Sequence, residues 1–339
     1  MKYFIAIISI TFFSSLLQAQ DYTWKNIPVN VKSSFRALSV VNDHVAWVSG
    51  SKGWIGRTQN GGKSWTFRQV SNFESLDFRS LYAFDSLRCI AANAGSPAYI
   101  FLTTDGGKNW KAVYQNDHKE AFIDGLDFWN NEKGIAYGDP LQGKMLLIAT
   151  HDGGTTWADL AENLRPELKP GEASFAASGT GIRCYDKKKV TITTGGKVSR
   201  LWTSHDNGTT WSVAELPLLQ NVETGGAFSS AFWGKRGVVV GGDFKNEAQT
   251  GKHIFCTDDR AKSWVLPLRP TRGLRECVEY LGKDNLIAIG PQGCDTTNDG
   301  GYNWYALSDE PGFHVVRQAR QGKLIVAAGN GKIAVIAQK

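Results

Sequence analysis

The chain has 339 residues, a formal net charge of +6, 37 glycines, 12 tryptophans and 2 methionines, with 21% of residues charged. That composition excludes a disordered chain and argues against long helices; it suits many short strands joined by turns. The cations are spread along the sequence. Lys187-Lys188-Lys189 is the densest group, and its place between two strand-like runs makes it a solvated hairpin loop, so no nucleic-acid partner is expected.

Met1-Lys2, the apolar stretch Tyr3 to Leu17 and the small residue Ala19 read in order as a basic tip, a hydrophobic run and a cleavage site. The run falls short of the roughly 20 apolar residues that a membrane span needs, and no Cys follows it directly. Residues 1–19 are therefore expected to be a signal peptide, and residues 20–339 a single periplasmic or secreted domain, not membrane-spanning and monomeric. Removing Lys2 with that segment leaves a charge of +5.

The mature chain opens on the strand-like Tyr22-Thr23-Trp24-Lys25. Three alternating runs follow, Phe35 to Val40, Val45 to Gly50 and Trp54 to Arg57, and then the turn Thr58-Gln59-Asn60-Gly61-Gly62-Lys63-Ser64-Trp65. The turn recurs at Thr103 to Trp110, Thr150 to Trp157, Ser204 to Trp211, Thr257 to Trp264 and Thr297 to Trp304. Its Asp or Asn can accept backbone amides ahead of it, its glycines take positive φ, and its Trp begins the next strand. Asn60 replaces the Asp in the first copy, and Arg260-Ala261 replace the glycine pair in the fifth, which predicts two looser turns.

Successive turn tryptophans lie 45, 47, 54, 53 and 40 residues apart, and Trp24 stands 41 before the first. The end of the chain, Phe313 to Ala319, Leu324 to Gly329 and Lys332 to Ala337, supplies three strands with no Trp-led fourth, which the mature N-terminus would provide. The predicted fold is thus an all-β, seven-bladed β-propeller of four-stranded blades, closed by pairing of the chain ends; six blades is the alternative. Insertions are expected around Arg165 to Gly171 and Asn246 to Gly251, decorating one face.

Cys89, Cys184, Cys256, Cys277 and Cys294 have no CxxC spacing, so zinc and thioredoxin-like chemistry are not suggested. An odd count leaves a free thiol, with Cys277 and Cys294 the one pair to consider for a bridge. P-loop, dinucleotide, nucleophile-elbow and HExxH motifs are absent, and no cofactor or metal is implied.

The innermost strand of each blade lines a propeller's channel, so aligning the first strands brings Arg36, Arg79, Asp124, Ser178, Ser229, Arg275 and His314 together, with Arg317 following. These residues either solvate the channel or bind. Arg36, Arg79, Arg275, His314 and Arg317 form the candidate ligand site, since guanidinium pairs bidentately with a carboxylate. Asp124, Asp139, Glu172 and Asp243 are the acids to consider if the protein is an enzyme on sugars, although Asp beside Gly or Pro is usually a turn-former. His151 and His205 fall within turns and should be exposed.

The eight-residue turn resembles the Asp-box of BNR-repeat proteins. The unit from Phe35-Arg36-Ala37-Leu38 through Trp47-Val48-Ser49-Gly50 to Trp65 resembles the repeats of the photosystem II stability/assembly-factor family and its exported bacterial relatives. The resemblance implies a seven-bladed binding scaffold whose arginines on one face contact a polypeptide, with Arg36, Arg79 and Arg275 in the matching places. An acidic peptide segment or an anionic glycan is the expected ligand, and alanine at Arg36 or Arg275 should weaken capture without unfolding the protein. The rival is a sialidase-like or other glycoside-processing enzyme, a hydrolase or lyase on acidic glycan. Against it, Ala37-Leu38 stand where sialidases carry Ile-Pro, and nothing in the chain resembles a redox site.

Overall fold

The computed structural model describes residues 22–338, so the expected signal peptide lies outside the described residues. Almost all regular structure is antiparallel sheet, and one short 3-10 turn, Glu162–Leu164, is the helical element among these residues. The first sheet runs Phe35–Val40, Ala46–Gly50, Trp54–Thr58, Thr66–Gln69, each strand hydrogen-bonded to the next. Its inner strands are almost wholly buried and its last strand largely exposed, which is the gradient expected of a sheet whose first edge faces the molecular axis.

The same four-strand order recurs from Phe78, Ile123 and Cys277. An eight-stranded sheet holds two further groups, which begin at Ile182–Tyr185 and Gly225–Trp233 and are joined through the single pair Gly195↔Gly226. In the second of these, the outer strand is reduced to one bridge, Cys256↔Val265.

The chain ends meet as expected. Tyr22–Ile27 pairs antiparallel with Lys332–Gln338 along its whole length and completes the sheet that begins at Phe313–Gln318. Trp24 stands edge-on to Phe313 with ring centres 4.8 Å apart. First strands contact each other in sequence order, and Phe313–Gln318 returns to Phe35–Val40, so they form a closed ring. Side chains from neighbouring sheets fill the space between: Phe35, Leu38 and Val48 pack with Val315, Val326 and Ile336 across the junction of first and last. Closure leaves no long sheet edge at the ring.

The repeated turns are built alike. The Thr58 hydroxyl accepts the Gly62 amide at 3.1 Å and Asn60 Oδ1 accepts the Ser64 amide at 3.0 Å; Asp105 takes the amides of Lys108 and Asn109, both at 3.0 Å. Asn109 holds Asp105 down to about 2, and the Thr210 hydroxyl and amide hold Asp206 at about 2. The copy lacking glycines keeps these bonds, with the amides of Lys262 and Ser263 on Asp259 at 2.9 and 3.0 Å. It does so by forcing Arg260 to φ +68° and Ala261 to +65°. Arg260→Gly should therefore gain roughly 1 kcal/mol by relieving the left-handed conformation. Urea unfolding reads the change in midpoint, and an unchanged or lower midpoint would refute it.

All five cysteines are free thiols, four of them buried. The Cys277–Cys294 bridge does not form: Cys277 Sγ faces the Val316 carbonyl at 3.3 Å, and burial pushes its thiol pKa up. Lys187 to Lys189 sit at a hairpin, as the sequence suggests.

Candidate binding mouth

All the first strands run the same way along the axis, so their N-terminal ends surround one mouth of the channel. There the ladder is irregular. Register shifts fall between Phe35 and Ala37, Phe78 and Ser80, Ile123 and Gly125, Ala227 and Ser229, and Phe313 and Val315. In the sheet that begins near Cys277, Glu276 and Cys277 both face Ile289. Each bulge leaves one extra residue, and bulges re-aim side chains. Those residues are Arg36, Arg79, Asp124, Phe228, Glu276 and His314, and all six line a cavity of about 460 Å3.

Opposite most bulges stands a glycine on the second strand: Gly50, Gly138, Gly241, Gly290 and Gly329. A Cβ there would overlap the carbonyl oxygen of Ser34, Phe122, Gly226, Leu274 or Gly312 respectively. The group beginning at Ile182 contributes no bulged residue. The segment Ser174–Ala177, which follows the first insertion, crosses the mouth in its place.

The polar contacts bind these parts to one another. Arg36 Nη1 donates to Glu276 Oε1 at 3.2 Å and to the Ala177 carbonyl at 3.0 Å. His314 Nδ1 lies 2.6 Å from Glu276 Oε2, and its Nε2 lies 3.1 Å from Asn330 Oδ1. Burial works against ionisation of Glu276, but the His314 hydrogen bond and the Arg36 charge outweigh it and hold the carboxyl below its usual range. Arg79 Nε donates to Asp77 at 2.8 Å. The far wall is aromatic. Phe175 stacks on Phe228 with ring centres 4.2 Å apart, Phe244 meets Phe175 edge-on, and Phe122 joins them.

Two acids complete the lining. Asp139 Oδ1 accepts the Ser174 amide at 2.9 Å. Asp124 is 1% exposed; its carboxyl oxygens make no well-aligned hydrogen bond, although the backbone amides of Asp139 and Ala176 and the Arg79 charge favour its ionised form. Burial first, then the charge of Asp139, push Asp124 well above the carboxylate range; burial also raises Asp139.

The sequence alignment slips by one residue in two places. Glu276, not Arg275, is the counterpart of Arg36, and Phe228, not Ser229, that of Asp124. Arg275 is fully buried beside the mouth, its guanidinium forked onto Asp295 and bonded to the Leu274 carbonyl at 2.8 Å, so it is withheld from any ligand. Ser178 and Ser229 lie deeper: Ser178 Oγ is 2.6 Å from Thr180 Oγ1, which donates to Ser229 at 2.7 Å. Arg317 is near the other end of its strand. It sits 3.5 Å from Glu279 in a separate cavity of about 220 Å3 with Arg183 and Arg320, away from Arg36 and Arg79.

Glu172 is not a rim acid. It is buried in a fork with Arg200 and also accepts from Thr194, Trp202 and the Lys169 amide. Asp243 is a turn-former, taking the Thr224 hydroxyl at 2.7 Å and the Lys245 amide at 2.9 Å. The first insertion leads directly into Ser174–Ala177, and the second supplies Glu247, so both decorate this mouth. His151 and His205 are exposed. Among the described residues no group of three or more His, Cys, Asp or Glu is placed to hold a metal, and no helix is long and apolar enough to cross a membrane.

Glu276 and Phe175 are the functional candidates that sequence reasoning missed. A Gly on the second strand, opposite the position before most of the bulges, is the signal that would have placed Glu276.

The family model for the photosynthesis system II assembly factor YCF48 matches residues 16–118. No curated protein matches the chain. Among solved structures, YCF48 bound to D1 peptide superposes with a TM-score of 0.68 at 16% identity, covering 93% of this chain and 97% of that one. YCF48 from Cyanidioschyzon merolae gives 0.68 at 14% identity, covering 92% and 98%. The GH74 xyloglucanase from Xanthomonas campestris gives 0.62 at 13% identity, covering 93% of this chain and 53% of that one. At these identities the superpositions establish the fold. With the partial family match they make this chain a β-propeller resembling the photosystem II assembly factors.

Proposed function

We propose that the protein is an exported seven-bladed binding propeller that captures a carboxylate-bearing polypeptide segment at the mouth lined by Arg36 and Arg79. The observation that carries the reading is the ring of six bulged side chains around one cavity of about 460 Å3, within the size range of ligand pockets. The seven-blade count rests on the division of the eight-stranded sheet into two groups and on the strand borrowed from the N-terminus. Export rests on the leader pattern of residues 1–19, and a mature N-terminus at Gln20 checks it by sequencing.

Arg36 is the more firmly held of the two arginines. Its side chain is 20% exposed, and its second terminal nitrogen has no hydrogen bond. A carboxylate arriving there meets a guanidinium already fixed by Glu276 and Ala177, so little side-chain entropy is lost on binding. The four phenylalanines favour a polypeptide with apolar side chains over a polyanionic glycan, whose small C–H faces are ringed by hydroxyl and acid groups. That a YCF48 has been seen with a D1 peptide supports a polypeptide partner for this mouth.

A glycoside-processing role has one specific observation behind it, the buried pair Asp124 and Asp139, whose raised pKa values suit a general acid. Glu172 and Asp243 take no part in it. The mature protein is to be screened by thermal shift against acidic peptides and acidic and neutral glycans, with the glycans also assayed for turnover. Stabilisation by a peptide without turnover, weakened about tenfold or more by Arg36→Ala, is the expected result. Undiminished peptide affinity in Arg36→Ala removes the anchor. Glycan turnover lost in Asp124→Asn would make the protein an enzyme.

A further inference from the structure

The acids and arginines around the mouth do not make a site for a purely anionic ligand. Arg36 is already matched by Glu276, and Arg79 by Asp77. Asp124, Asp139 and Glu247 then remain on the lining with no basic side chain in an ion pair with any of them among the described residues. Asp124 is the telling residue. It occupies a bulge position equivalent to those of Arg36 and Arg79, is 1% exposed, and has no well-aligned hydrogen bond to either carboxyl oxygen; the backbone amides of Asp139 and Ala176 lie near it but leave acceptor capacity unused in the interior. Asp139 beside it spends one oxygen on the Ser174 amide.

The wall that closes this side is made of phenylalanine faces, with Phe175 and Phe228 stacked in parallel and Phe244 half exposed. Carboxyl groups next to aromatic faces are the environment that attracts an organic cation: the ring faces offer negative potential and the acids offer charge and acceptors.

We propose that the ligand of this mouth is zwitterionic, its ammonium group seated on Asp139 and Asp124 against the phenylalanine faces while its carboxylate meets Arg36 and Arg79. This rests on the binding role given above for the same mouth and narrows it from an anionic ligand to a segment carrying both signs, such as a peptide with a lysine near a carboxylate. A purely acidic glycan would bring further carboxylates against Asp124 and Asp139 and no cation to meet them. The charged groups facing Asp124 are Asp139 and Arg79, with the Tyr137 phenol behind them.

Three probes share one hydrocarbon body: 6-aminohexanoate, hexanoate and hexylamine. Titration calorimetry on the mature protein should give 6-aminohexanoate about tenfold tighter than hexanoate, the size of one partly desolvated cation contact. Asp139→Asn, which keeps the acceptor for Ser174, should erase that advantage, and Asp124→Asn should do the same. Equal affinity for 6-aminohexanoate and hexanoate, or an advantage that survives both substitutions, overturns the proposal. Equal affinity for 6-aminohexanoate and hexylamine, unaffected by Arg36→Ala, instead overturns the carboxylate reading and leaves the cation site standing. Failure of all three to bind at millimolar concentration overturns both.

Discussion

Arg275→Ala should cost about 3 kcal/mol of folding stability and leave the capture of a carboxylate by the folded protein unchanged, the reverse of what its place in an aligned row of arginines suggests. The guanidinium is fully buried and forked onto Asp295, with a third bond to the Leu274 carbonyl. Removing it leaves a buried carboxylate with only Arg272, whose Nε donates to Asp295 at 2.9 Å and whose side chain is 42% exposed. Breaking a buried pair from one side costs more than the pair itself contributes, because the remaining charge stays desolvated. Arg36→Ala is the contrast: a partly exposed side chain is lost, Glu276 keeps His314, and the cost should stay near 1 kcal/mol. Urea unfolding of the two variants, with peptide binding measured on each, separates the roles. A stable Arg275→Ala protein that no longer binds would return Arg275 to the ligand site.

What the sequence made legible is what is decided locally. The turn chemistry is complete within eight residues, so its six copies and their spacing reveal the sheets, the strand order within each and the pairing of Tyr22–Ile27 with the C-terminal strand. Which side chain faces the mouth is decided elsewhere, by where one strand takes two residues against one. Residue spacing does not carry that information, and a slip of one residue exchanges the two faces of a strand. Hence Arg275 stands for Glu276 and Ser229 for Phe228. Phe175 was illegible for a different reason: it reaches the mouth on an insertion that departs from the repeat, and only packing against Phe228 fixes it there. Glu172 looked like a free acid on the same insertion because its partner, Arg200, lies 28 residues further along the chain, a pairing no local pattern announces.

The same geometry makes the glycines opposite the bulges sensitive backbone positions. Gly138 has no positive φ, so the requirement there is space rather than conformation: a methyl would overlap the Phe122 carbonyl oxygen and crowd Ile123 Cα. Those atoms are backbone, next to the bulge that carries Asp124, and cannot turn aside as a side chain would. Gly138→Ala should therefore cost about 3 kcal/mol, the upper part of the range for overpacking a tight interior. It should also lower affinity for 6-aminohexanoate in the protein that still folds, since the strand must retreat with Asp124. Gly282→Ala is the control. That glycine has no positive φ, its nearest neighbours at 3.4 Å or beyond belong to the Asn285 side chain, and its substitution should change stability by no more than about 0.5 kcal/mol. Equal urea midpoints for the two variants would mean that the sheet absorbs the methyl at Gly138. The bulge would then be a consequence of its own strand and not of the glycine facing it.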